Sequence, residues 1–331
     1  MGISFTSDKR HPPYPVVAIW FGMEYYEGTA KRKKGVPVGL YKYVSSSVAK
    51  KILAGTIRFT QPSAFNDPFE LLPQFITEED LVADRQEFNF CVLTPRRKGL
   101  DRSHIRVAPG LRSDINARKI VGDLNAAIGI LCLSRNADSL LMWGLYADDY
   151  SGALIEFDET HDFFTGMHPV KYKKRRPVFD LRDFHGKVVP ISDLFVKPSV
   201  WAHEREVRIV RSTRDLKDTG AAIKNYPLLT MDIPRDCIKS VFLGDRMKLE
   251  DQVEIWSLIK DTNISLSLAA VDNWGYAFRY DPIKFSGPLI GSPMISPRTA
   301  HIFKDLPGEF QEVARWMIEQ HPSSAFVNQK C

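Results

Sequence analysis

A ten-residue stretch near two thirds of the way along the chain, Trp201-Ala-His-Glu-Arg-Glu-Val-Arg-Ile-Val210, sets the strongest constraint on the fold. It reads as a short strand carrying an unusual density of charge. From Glu204 onward, side-chain alternation places Glu204, Glu206 and Arg208 on one face and Arg205, Val207 and Ile209 on the other. Either the charged face is solvated and its ions pair weakly, or two neighbouring carboxylates on a rigid element form a site for acid–base or cation-stabilising chemistry.

The preceding segments supply the elements such a strand could join. Gly129-Ile-Leu-Cys-Leu-Ser134 is a continuous apolar run and predicts a buried central strand. Leu40-Tyr-Lys-Tyr43 predicts a first strand, with Tyr41 and Tyr43 on one face and Lys42 on the other. Ser45 or Ser46 suits the cap of a helix ending before Gly55, and Thr56-Ile-Arg-Phe-Thr60 predicts the next strand. Asn66-Asp67-Pro68 is turn chemistry that can also present Asp67 and Glu70 to a site. A helix over 139–147, capped by Asn136 or Asp138, carries Trp143 and Tyr146 on one face. Residues 153–157 predict a strand, 191–196 a short helix, and 227–233 and 238–244 two further strands. Leu249, Val253, Trp256 and Ile259 form a helical stripe, and Phe310, Val313 and Met317 stripe a last helix.

Short strands interspersed with helices predict an α+β fold with mixed, mainly antiparallel sheets rather than a regular doubly wound one. The division expected is an N-terminal extension over 1–37, a single core over 38–285, and a C-terminal tail over 286–331 with one amphipathic helix. Two basic runs, Lys31-Arg-Lys-Lys34 and Lys173-Lys-Arg-Arg176, read as solvated loops or as contacts for phosphate.

Composition narrows the function classes. With 331 residues, 44% hydrophobic and 26% charged, the chain has ordinary globular character. A net charge of +5 is too small for a nucleic-acid coat but compatible with a phosphate-bearing ligand. The four cysteines lie far apart with no CxxC pair, which suits a reducing cytoplasm. No apolar run approaches a membrane span. Dinucleotide-binding GxGxxG, GxxxxGK[ST] and GxSxG patterns are missing, and His203-Glu204 fails as a zincin because Val207 stands where the second histidine would be.

Leu-Tyr-Lys-Tyr (40–43), Ile-Arg-Phe followed by Phe-Asn-Asp-Pro-Phe-Glu (57–70), Cys-Leu-Ser followed by Met-Trp-Gly-Leu-Tyr-Ala (132–147), Gly152…Phe157, Val-Lys-Tyr (170–172), Lys197…Trp201…Glu204-x-Glu206-x-Arg208, and Val-Phe-Leu-Gly (241–244) occur in that order. The set resembles a large family of bacterial cytoplasmic proteins of unknown function, some of whose members resemble abortive-infection, phage-resistance proteins. The likeness spans about residues 38–285.

A second likeness bears on mechanism. A tyrosine-rich strand, helix, glycine and strand, then a serine-ended strand, then a glutamate on a late strand is similar to ADP-ribosyltransferase domains. That resemblance implies Glu206 as the catalytic glutamate, Glu204 as the accessory one and Ser134 at the middle position. Lys42 stands where those domains use arginine or histidine. It further implies NAD as substrate, no metal, and transfer of ADP-ribose to a protein or nucleic-acid acceptor, as in a growth-arresting effector. In that chemistry Glu206 would stabilise the sugar cation, Arg208 would keep both acids ionised, and Tyr41, Tyr43, Trp143 and Tyr146 would stack on flat rings. Two rival expectations are a non-catalytic binding module, and a metal-dependent nuclease using Asp67, Glu70 and Glu206 with residues 173–176 on phosphates.

Overall fold

The computed structural model describes residues 2–7, 15–20, 39–76, 91–92, 106–107, 112–180, 188–272, 275–286 and 293–325. The basic run at 31–34 and most of 77–111 lie outside them. The chain enters its main sheet at β1 (Leu40–Val44). Helix α1 (Ser46–Leu53) follows because the Ser45 hydroxyl accepts from Val48 N, satisfying one donor of the first turn. Its stripe of Ala49, Ile52 and Leu53 is buried, and Gly55 turns the chain away at φ +95°, a conformation that glycine adopts without strain. β2 (Thr56–Phe59) comes next, then a turn in which Asp67 Oδ1 accepts from Phe69 N at 2.9 Å.

Helix α2 (Arg112–Ala127) leads into β3 (Ile128–Ser134), and α3 (Leu140–Tyr146) into β4 (Ala153–Phe157). The cap of α3 is Ser139, whose hydroxyl accepts from Met142 N, rather than Asn136 or Asp138. Three short strands follow: β5 (His168–Pro169), β6 (Lys171–Lys173) and β7 (Val196–Pro198). The helix expected over 191–196 is a single 3-10 turn, Ile191–Leu194, that runs directly into β7. The remaining elements are β8 (Glu206–Ser212), the hairpin β9 (Lys217–Ile223) and β10 (Tyr226–Asp232), β11 (Ile238–Leu243), α4 (Leu249–Ile259), β12 (Ser265–Val271), β13 (Phe278–Lys284) and α5 (Glu309–Glu319).

The main sheet has eight strands in the order β5-β8-β3-β1-β4-β11-β12-β13. Every neighbouring pair is antiparallel except β11 and β12, which are parallel and joined by α4. A second antiparallel sheet, β9-β10-β2, abuts the first through an isolated bridge between Thr60 and Ile130. The fold is therefore mixed α+β, with predominantly antiparallel strands.

Three apolar clusters hold these layers together. The largest joins α1, α4 and one sheet face, including Leu131, Leu133, Val207 and Ile209. A second packs α2 against Ile130, Val210, Leu194 and Phe195. The third seats α3 on Tyr41, Tyr43, Leu154 and Ala269. Sheet faces covered from both sides explain why β3 and β8 contain no solvated face. The C-terminal segment shares the first cluster: Ala300, Ile302 and Phe303 are buried in it, and Trp256 meets the Phe303 ring edge-on at 5.0 Å. Of the expected α5 stripe, Phe310 and Met317 pack on this core, whereas Val313 is exposed. At the other end, Gly2–Ser7 pairs with Pro15–Trp20 and with Val188–Pro190.

A candidate active site at a fork in the sheet

β3 pairs with β8 along one whole edge, from Glu206 opposite Ser134 to Ser212 opposite Ile128. Its other edge is shared. It meets β1 only at Tyr41 opposite Ser134, and the end of β2 only at Thr60 opposite Ile130. Between these points the Cys132 carbonyl accepts from the Lys42 ammonium at 2.8 Å in place of a ladder partner. A cavity of about 200 Å³ opens at this fork. Because the register aligns Tyr41, Ser134 and Glu206 across β1, β3 and β8, all three contribute to its lining, joined by Lys42, Tyr43, Tyr146 and Glu204.

Glu204 does not reach the cavity by strand alternation. It ends a 3-10 turn, Ser199–Glu204, and Arg205 then adopts a left-handed conformation, φ +44° and ψ +48°, before β8 starts at Glu206. The loop after β3 fixes that reversal. The Ser134 hydroxyl donates to the Glu204 carbonyl at 2.6 Å, Arg135 N donates to the Arg205 carbonyl at 3.0 Å, and Asn136 Nδ2 donates to the His203 carbonyl at 2.9 Å. The expected shared strand face for Glu204 and Glu206 is thus replaced by a turn, yet both side chains are buried and both line the cavity.

The acids are held by a buried ion network. Lys197 Nζ lies 2.9 Å from Glu204 Oε2, 2.7 Å from Glu206 Oε2 and 3.9 Å from Glu70 Oε2. Tyr146 donates its phenol proton to Glu204 Oε1 at 2.5 Å. Arg208 grips Glu206 through Nε at 2.8 Å and Glu70 through both terminal nitrogens at 2.6 and 3.0 Å. The guanidinium lies over the rings of Phe65 and Phe195, at 5.6 and 5.1 Å. The Glu206 amide donates to the Tyr172 hydroxyl at 2.8 Å, which anchors the start of β8 to β6.

These contacts decide protonation. Burial by itself would raise the Glu206 carboxyl, but Arg208 and Lys197 outweigh it and hold the group at about 2. Burial lowers Lys197, and the attraction of Glu206 and Glu70 overturns this, so its ammonium is raised above its ordinary range. Lys42 is lowered, chiefly by burial, with Arg58 acting in the same direction. Burial and the Glu206 charge push the Cys132 thiol well up, leaving it protonated and inert as a nucleophile. Tyr146 is also raised, first by burial and then by its bond to Glu204.

Of the residues singled out from sequence, Glu204, Glu206, Tyr41, Lys42, Tyr43, Ser134 and Tyr146 converge on this cavity. Trp143 does not line it: its ring is buried against Tyr43 and Phe278, with centroids 5.5 and 5.7 Å away. Arg208 is fully buried behind Glu206 and also stands outside the lining. Tyr43 is partly committed to the scaffold, donating to the Asn136 carbonyl and accepting from Ser139 N. Asp67 is occupied in its own turn, and Glu70 is bound by Arg208.

Two cavity residues carried no signal of their own. Lys197 and Arg58 enter the sequence reading only inside the fragments of a resemblance, and the role of Lys197 depends on its pairing with Tyr172 between β6 and β7. Arg58 lies on β2, far from the acids in sequence. It lines the cavity, its Nε is buried without a hydrogen-bond partner among the described residues, and no acidic group is paired with it there. An unpaired buried donor of this kind suits an anionic ligand group. No family model, curated protein or solved structure matches this chain.

Proposed function

We propose that the chain is an ADP-ribosyltransferase-like enzyme that cleaves the nicotinamide–ribose bond of NAD and passes the ADP-ribosyl group to an acceptor. The observation carrying this reading is the row Tyr41, Ser134, Glu206 across three strands, lining a cavity that also holds Arg58, whose Nε has no hydrogen-bond partner among the described residues. Breaking the glycosidic C–N bond sends its electron pair to the pyridinium nitrogen and develops positive charge on the ribose. A carboxylate fixed as an anion beside the sugar opposes that charge, and such preorganised groups contribute about 3–4 kcal/mol each. Glu206 is such an anion. Its Oε1 accepts from Arg208 Nε, and the carboxylate as a whole lines the cavity, where it can also meet a ribose hydroxyl. The acceptor nucleophile then bonds to the anomeric carbon, and its proton passes to Glu204 and on to solvent. The cavity is large enough to admit a ring, and the unpartnered Arg58 Nε in its lining supports a phosphate at that end.

One observation favours a second reading, a non-catalytic binding module. Tyr146, Lys197 and Arg208 already occupy the glutamate carboxylates, as they would in a network that only stabilises the core. A metal-dependent nuclease draws less support, since the Lys197 ammonium stands where an ion between Glu204 and Glu206 would sit. Incubation with NAD labelled in the nicotinamide ring, parent against Glu206→Gln, separates the readings. Release by the parent and its loss in the variant supports the enzyme; binding without release supports the module.

A further inference from the structure

A second depression, of about 270 Å³, lies on the other side of β7. Its lining includes Phe69, Leu72, Leu194 and Val196, the basic residues Lys173 to Arg176, and Lys197. Lys197 is common to both linings, so one residue separates this groove from the acids of the fork. None of the groove's lining residues is acidic. Lys173, Lys174 and Arg175 are exposed, and no ion pair neutralises them among the described residues.

Arg176 behaves differently. Its Nε and one terminal nitrogen donate to the carbonyls of Leu72 and Pro73, both at 2.9 Å, and its guanidinium stands 5.9 Å from the centroid of the Phe69 ring. The result is a fixed planar cation beside an aromatic ring that remains 49% exposed. The half-exposed Phe69 ring, the fixed Arg176 guanidinium and the exposed Lys173, Lys174 and Arg175 lie together on one groove. A ligand with flat rings strung on a charged backbone uses both at once, because bases stack on aromatic and guanidinium faces while lysines follow the phosphates.

We infer that this groove binds single-stranded nucleic acid, with a base on Phe69 and Arg176 and phosphates on Lys173, Lys174 and Arg175, and that it is the acceptor side of the site. The acceptor role rests on the ADP-ribosyl transfer proposed above; the binding does not.

The test measures fluorescence anisotropy of labelled twelve-residue DNA and RNA strands with the full chain across a salt series. Parent protein is compared with Phe69→Ala and with the triple variant Lys173→Glu, Lys174→Glu, Arg175→Glu. For single strands the slope of log affinity against log salt is about −0.7 per phosphate contact. The triple variant is expected to bind at least tenfold more weakly and to flatten that slope by about 2. Phe69→Ala is expected to weaken binding about tenfold at every salt without changing the slope. Both variants should keep the parent's thermal midpoint and its rate of NAD cleavage in the absence of acceptor. Parental affinity in the triple variant overturns the inference. So does equal affinity for a poly-glutamate peptide, which marks an acidic protein partner, or for a duplex of the same length. Strand binding by a protein that does not cleave NAD leaves this groove in place and defeats the enzymatic reading instead.

Discussion

The ammonium of Lys197 stands 2.7 Å from Oε2 of Glu206, and both groups are more than nine-tenths buried. The contact joins a three-residue strand, β7, to the start of β8, and through Glu204 it also fixes the turn between them. Without that cation, Glu204 and Glu206 would face each other in a medium that screens poorly.

Lys197→Met keeps much of the apolar stem and removes the charge. Breaking a buried pair in this way typically costs about 3–5 kcal/mol, since the partner is left uncompensated. Urea denaturation should show a loss of that size. Adding Glu204→Gln to the same protein should recover part of it, as two residues in one network are not additive. A loss below about 1 kcal/mol, the scale of an exposed pair, would mean that the network is solvated.

Acid should act through Glu206. Its folded-state value of about 2 lies below the ordinary 4.5, so the unfolded chain takes up the proton first. The stability contributed by the ionised group is complete above about pH 4.5 and is lost as pH falls from there towards about 2. The urea midpoint of the parent should drop through that window. The midpoint of Glu206→Gln should start lower and fall less steeply. Parallel curves would place the acid-sensitive group elsewhere.

If Glu206 opposes charge on a ribose, Glu206→Gln should lower nicotinamide release by about 10²–10³ in kcat, the usual consequence of losing one preorganised electrostatic group. KM should change little. Glu204→Gln should lower transfer to an acceptor more than hydrolysis by water. Circular dichroism and a thermal midpoint recorded on each protein show whether the fold persists.

The reversal at Arg205 makes a separate prediction about backbone. A left-handed residue with a Cβ is disfavoured by roughly 1–2 kcal/mol, and a β-branched one suffers most. Arg205→Gly should stay within about 1 kcal/mol of the parent. Arg205→Ile should be less stable than Arg205→Gly by about 1–2 kcal/mol and should bind NAD more weakly, because Glu204 is aimed by this turn. Equal binding by the two variants would show that the turn does not aim the acid.

The elements with strong local signals were legible in the sequence. Ser45 and Gly55 bracket α1, the apolar run at 129–134 is the doubly covered strand β3, and Asp67 makes its own turn. Glu204 and Glu206 were found for a reason that is only half right. Alternation assumes uninterrupted extended backbone, and nothing in His-Glu-Arg-Glu announces a left-handed arginine. Lys197 and Arg58 were unreadable because each acquires its place from pairings distant in sequence: β6 with β7 for the first, β2 with β10 and Ile130 for the second. Trp143 and Arg208 share the chemistry of their neighbours, and only burial separates scaffold from lining.

The parting of β1 and β2 beside β3 has a consequence for how this protein can vary. The hollow is created where a ladder divides, with a lysine ammonium standing in for the missing strand at Cys132. It therefore owes its existence to main-chain connectivity more than to the bulk of any side chain. Substitutions among its aromatic walls should retune what is admitted while leaving the opening intact, so one ligand can be exchanged for another without rebuilding the sheet.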